Sequence, residues 1–221
     1  MEKRALNNTW YYFMSLERDL EATSRYIEPK GQEQVYSFEF SKLIILSCTE
    51  IETLMKRICF KINQQQCGNI GEYKSVILAR FPKIVMTEVS VPRLEKVIRP
   101  FENWDNGPLS WWNAYVNIKH NRESSFNEAS YINAATALAA LYILILYLGE
   151  LINEQIRDAN NDYIVSDYSY KHLVIAPSAK LPDFASVVTT ESEPKENVQT
   201  LYMQEDQPEK AKDGDIWLQT K

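Results

Sequence analysis

Apolar residues recur at helical spacing along most of this chain, and where the recurrence breaks it divides the chain into segments. Trp10, Phe13, Leu16 and Leu20 make one stripe at three- and four-residue intervals. It predicts a first helix, capped at Asn8 or Thr9, that runs to about Tyr26 and stops at Pro29 and Gly31. A longer helix is expected from about Glu33 to Gln64, since its centre, FSKLIILSCTEIETLMKRICFKI, contains neither Pro nor Gly. There Phe40, Leu43, Ile44, Cys48, Ile51, Met55 and Ile58 fall on one face, and Lys56, Arg57 and Lys61 are left wet.

Cys67–Gly71 interrupts the pattern, and EYKSVILARF predicts a shorter helix ending at Pro82. IVMTEVSVP is rich in β-branched residues and reads as a loop or a short extended piece. Arg93–Val97 is expected to form a helical turn, RPFENWDNGPLS a loop, and Pro108 with Ser110 the start of a helix over WWNAYVNIKHNR. Ser124, Ser125 and Asn127 precede the most apolar element, a helix over roughly Glu128–Asp158. Its Ala-rich core, Ala134–Leu148, is shorter than the ~20 residues of a bilayer span, so a buried core helix is expected and no membrane partner. Beyond it, YIVSDYSYKHLVIAP alternates like one or two short strands, with His172 alone among them. The expected fold is therefore all-α: a bundle of about four to five main helices over 1–158, a strand-like clasp over 159–181, and an acidic, loosely ordered extension over 182–221.

Composition narrows the function. The formal charge is −6, and from Asp183 onward 4 Lys face 9 Asp and Glu, which leaves the preceding body close to neutral. That disfavours avid nonspecific nucleic-acid binding and leaves room for a local phosphate site. Cys48, Cys59 and Cys67 lack the spacing of a zinc site or a disulfide framework, and the N-terminus has no apolar signal core. A cytoplasmic protein without metal or other cofactor is expected.

The candidate chemistry lies in WWNAYVNIKHNR. On a continuous helix Asn113, Asn117 and His120 share one face, while Tyr115, Lys119 and Arg122 share another. The first face offers an imidazole, the side chain suited to proton transfer near neutral pH, flanked by amides as candidate catalytic groups. The second offers two cations and a phenol as candidate phosphate or RNA ligands. The competing reading makes His120 part of a buried polar network, with Asn113 and Asn117 satisfying Glu50 or Glu52. Trp111 and Trp112 are expected in the core.

WWNAYVNIKHNR, the F-x-x-A step at Phe126 and Ala129, and ALAALYILILYL resemble uncharacterised bacterial proteins of HEPN type, and FSKLIILSCTEIETLMKRIC is similar to their preceding long helix. The likeness spans about Ser37 to Leu151. It implies a helical bundle, commonly dimeric, and a metal-independent ribonuclease of phage defence, toxin or RNA-processing systems. In such proteins an Arg is followed, after four to six intervening residues, by a His, the His acting as acid or base and the Arg holding the phosphate. Only the His carries over, as His120; Asn113, Ala114 and Tyr115 occupy the positions where the Arg would stand, and Arg122 follows instead. LYMQEDQPEKAKDGDIWLQTK resembles a short hairpin module of phage and prophage tail-associated proteins, with Gly214 at the turn and Trp217 as anchor. The alternative is an acidic tail whose last apolar residues dock on the bundle. Two functions follow: a HEPN-like homodimer that binds or cuts RNA, or a noncatalytic helical scaffold that joins a protein partner, phage- or prophage-encoded and part of a virion.

Overall fold

Apolar residues on every side of one helix determine how the other elements are arranged. The computed structural model of the chain describes residues 2–160, 176–177 and 181–184, all within one compact unit, 1–188. It is an all-α bundle of α1 (Glu2–Thr23), α2 (Phe38–Asn63), α3 (Ile70–Arg80), α4 (Ser110–Ser125) and α5 (Tyr131–Asn160). Strands β1 (Val89–Val91), β2 (Lys96–Ile98) and β3 (Ala176–Pro177) form a small antiparallel sheet in the order β2-β1-β3. Over Tyr131–Glu154, α5 is long and apolar enough to cross a membrane, yet 83% of its apolar window is buried, with α1, α2 and α4 packed around it.

The helices run in alternating directions around α5. Phe13 packs on Tyr142 with ring centres 5.3 Å apart, and Glu21, near the end of α1, acts on Tyr131 at the start of α5, so the two are antiparallel. Thr9 donates to Glu50 at 2.9 Å and Lys42 pairs with Asp19 at 3.3 Å, which makes α1 and α2 antiparallel as well. Phe40 meets Tyr131 edge to face, so α2 and α5 run parallel and need a long crossover. Residues 64–130 supply it with α3, the sheet and α4.

The expected buried faces are present. Trp10, Phe13, Leu16 and Leu20 of α1 and the seven named positions of α2 are all in the core, as are Trp111, Trp112, Cys48 and Cys59. Trp111 also donates its indole N–H to the Pro100 carbonyl at 2.7 Å, satisfying the polar edge of a buried ring.

Several boundaries differ from expectation, each for a tertiary reason. α1 begins at Glu2, and Thr9 is no cap; its hydroxyl reaches Glu50 on the next helix. α2 begins at Phe38, where the Ser37 hydroxyl accepts from the Phe40 N–H, because Val35 and Glu33 use their carbonyls on the N–H groups of Tyr131 and Ile132. Arg93–Val97 is not a helical turn: a 3-10 turn over Pro92–Leu94 passes into β2, whose partner is β1. The last helix begins at Tyr131 and not at Glu128, because Glu128 closes a 3-10 turn over Phe126–Glu128.

Of the segments read as a clasp and a tail, residues 159–160 belong to α5, and beyond them only Ala176–Pro177 and Leu181–Phe184 are among the described residues; His172, Gly214 and Trp217 lie outside them. Asp183 accepts from the Lys83 N–H at 3.0 Å and from the Tyr147 hydroxyl at 2.8 Å, and Phe184 packs on Phe81 and Tyr147.

Ala134, Ala135, Ala137, Ala139 and Ala140 are all buried, so neighbouring helices approach α5 across methyl groups with no room for more. Ala139→Leu should therefore destabilise by about 1–3 kcal/mol through overpacking, read as a lower urea midpoint with an unchanged slope. A midpoint equal to that of the parent chain would mean that the contact is loose.

Candidate functional site

The polar face of α4 forms because its opposite side is occupied. Trp111, Trp112, Ala114, Tyr115 and Ile118 turn into the bundle, which leaves Asn113, Asn117, Lys119 and His120 facing solvent. Both nitrogens of the His120 ring are open to a ligand, since the side chain makes no hydrogen bond or ion pair among the described residues. Asn117 donates its amide N–H groups to both carboxylate oxygens of Glu128 at 3.0 Å, and Asn133 donates to the Glu128 carbonyl at 2.8 Å. These bonds fix the Asn117 side chain beside His120, one turn further along the helix.

The sealed network read from the sequence is corrected. Asn113 and Asn117 do not satisfy Glu50 or Glu52; Glu50 takes the Thr9 hydroxyl and Glu52 takes Lys56 at 2.9 Å. The second face is also corrected. Lys119 donates to the Tyr115 hydroxyl at 3.2 Å and lies 5.3 Å from the centre of that ring, but Tyr115 itself is buried against Trp112. Arg122 has left that face, because Asn121 adopts non-helical backbone angles (φ −148°, ψ 68°) and breaks the helix between His120 and Arg122. The 100° step per residue used to place Arg122 holds only within a continuous helix.

Beyond the break, the Arg122 guanidinium carbon lies 5.9 Å from the centre of the Phe38 ring, within cation–π range. Phe38 is 71% exposed and packs on Phe126 at 4.6 Å, with Tyr36, 52% exposed, edge to face on Phe126 at 5.4 Å. Three aromatic rings and a cation thus form an open patch beside the end of α4. Sequence periodicity missed it because Tyr36 precedes α2 and Phe38 begins it, both off the buried stripe of that helix. The available signal was local: Ser37 as N-cap leaves the aromatic residues on either side of it outside the helical stripe.

On α2, Lys56, Arg57, Phe60, Lys61, Gln66 and Cys67 line a cleft of about 390 Å³. No group of three His, Cys, Asp or Glu side chains with the geometry of a metal site occurs among the described residues. Burial pushes the Cys48 thiol well up, and burial together with the neighbouring Cys67 pushes Cys59 up to about 12. No family model, curated protein or solved structure matches the chain.

The thiols are the directly testable titrating groups. A raised pKa favours the neutral thiol, so at pH 8 only about one Cys59 in 10⁴ is the reactive thiolate, and the fraction grows as pH rises toward the folded-state pKa. Iodoacetamide at pH 8 should label Cys67 in the folded protein and reach Cys48 and Cys59 only in denaturant, as read by peptide mass mapping. Labelling of Cys48 at the rate of Cys67 without denaturant would contradict the burial.

Proposed function

We propose that the chain is a HEPN-like helical protein that binds RNA through the open face of α4. One observation carries this reading: His120 is exposed and unpartnered among the described residues, next to an Asn117 amide fixed by Glu128. A histidine serving only the core would be covered and bonded. Lys119 and Arg122 flank it with positive charge, and the rings of Phe38 and Phe126 offer faces on which unpaired bases stack.

The chemistry available to this face is cleavage by the neighbouring 2′-hydroxyl. His120 would take the 2′-hydroxyl proton or protonate the leaving 5′-oxygen, and a cation would steady the charged phosphorane. The Arg that HEPN ribonucleases carry upstream has no counterpart here, so Lys119, Arg122 or a second copy of the chain must provide that charge.

Incubating the full chain with structured RNA in EDTA tests the catalytic form. Cleavage is expected to persist in the chelator and to fall at least about a hundredfold in His120→Ala, the scale of general acid–base catalysis. RNA left intact, or cut equally by the variant, removes catalysis; binding that survives in Arg122→Ala and Lys119→Ala removes the RNA reading as well.

The exposed rings of Tyr36 and Phe38, packed on the half-buried Phe126, favour a second reading, a noncatalytic module that pairs with a second copy of itself. Phe38→Glu, at an exposed position, should then convert a dimer to a monomer in sedimentation velocity without lowering the melting temperature. A parent chain that sediments as a monomer at all concentrations sinks this reading.

A further inference from the structure

A second polar concavity lies away from α4, where α1 finishes against the turn between β1 and β2. It encloses about 430 Å³ and is lined by Arg18, Glu21, Ala22, Ser24, Arg25 and Arg93. Arg93 donates to Glu21 at 2.7 Å, and Glu28 adds a second carboxylate to its surroundings. The guanidinium groups of Arg18 and Arg25 have no hydrogen bond or ion pair among the described residues. Three guanidinium groups against two carboxylates leave the cleft positive on a chain whose total charge is −6. Such a concavity concentrates anions.

The cleft also has an unusual polar lining. Ser24 Oγ, the Glu21 Oε2 oxygen and the Tyr131 hydroxyl are buried without a partner. Tyr131 is fully buried, and burial followed by the Glu21 charge pushes its hydroxyl up to about 12, with Arg93 and Glu28 also acting on it. Its hydroxyl therefore lies in the field of the residues that line the cleft. Unpaired buried polar groups are rare because each costs free energy, and two of these belong to residues that line the concavity, Glu21 and Ser24.

The donors and acceptors determine what that ligand must carry. Arg18 lies near the end of α1 and Arg25 in the turn just beyond it, and both line the cleft, so two long side chains can close on one ion. Each presents a planar fork, and a phosphoryl group has three oxygens to share between them, whereas a carboxylate is satisfied by one fork. The Glu21 carboxylate lines the same cleft, accepts from Arg93 and has acceptor capacity left, so a ligand that also donates fits. We propose that this cleft binds a phosphorylated small molecule, its phosphoryl group held between Arg18 and Arg25 and a hydroxyl of the same molecule donating to Glu21. The site uses no residue of α4 and stands or falls independently of the RNA reading.

Calorimetric titration of the full chain in a low-salt, phosphate-free buffer tests it, with ribose 5-phosphate, inorganic phosphate and ribose as probes. Ribose 5-phosphate should bind saturably at one site, inorganic phosphate more weakly and ribose not at all. Arg18→Ala and Arg25→Ala should each weaken binding about tenfold, the loss of one charge-assisted pair, with the apo melting temperature unchanged. His120→Ala should leave binding intact. No saturation by either phosphate up to about 10 mM, a Kd too weak for a built site, overturns the proposal. So does undiminished binding in both arginine variants. Equal affinity for the two phosphates removes the Glu21 contact, and loss of binding in His120→Ala removes the separation from the α4 face.

Discussion

The apolar surface of α5 is the constraint on which the rest of the fold depends. A helix that is apolar all round must be covered on every side, and α1, α2 and α4 cover it. Its alanines let the neighbouring helices approach closely, and buried Tyr131, Tyr142, Tyr147 and the leucines and isoleucines between them supply the bulk of its contacts. Because α2 lies parallel to α5, the chain between them must travel the length of the bundle and return. The crossover, 64–130, is where the fold acquires its least regular parts: α3, the small sheet and the broken helix α4.

The same topology explains why the surface features collect where they do. At one end of the bundle α1 and α4 finish while α2 and α5 begin, and the Tyr36–Ser130 bridge ties the segment before α2 to the start of α5. Helix C-termini carry partial negative charge, so the cations Lys119 and Arg122 near the end of α4, and Arg25 just beyond α1, are favourably placed without any ligand. Helix dipoles account for the presence of positive charge here. They do not account for the exposed rings of Tyr36 and Phe38 beside it, nor for the unpartnered Ser24 hydroxyl and Glu21 carboxylate oxygen at the arginine cleft.

How much of this the sequence made legible depends on how local each feature is. The stripe of Trp10, Phe13, Leu16 and Leu20 and the inward face of α2 were readable because burial imposes a period on a single helix. Thr9 was misread as a cap because a hydroxyl that bonds Glu50 on another helix looks the same in sequence as one that caps its own. Lys96 and Val97 were misread as part of a helical turn because their strand state comes from pairing with β1, itself paired with Ala176–Pro177 far along the chain. The arginine cleft joins α1 to the turn after β1, and the aromatic patch joins the segment before α2 to the end of α4; no spacing rule within one element could reveal either.

The break at Asn121 bears most directly on the candidate chemistry. In a continuous helix His120 and Arg122 would point about 200° apart and could not share one phosphate. The non-helical backbone between them removes that prohibition, and it does so without Pro or Gly, at a residue type that tolerates irregular backbone because its amide can bond locally. Yet Arg122 uses this freedom to lie over Phe38, where it pairs a cation with an aromatic face. That arrangement suits recognition: a base can add to the stack while the guanidinium meets its phosphate. Cleavage asks for more, since the guanidinium would have to leave Phe38 and swing toward His120, giving up the ring contact to reach the phosphate. On the reading proposed above, the α4 face would be better organised to hold a nucleic acid than to cut one, and its imidazole would become catalytic only where a second copy or a repositioned Arg122 supplies the positive charge.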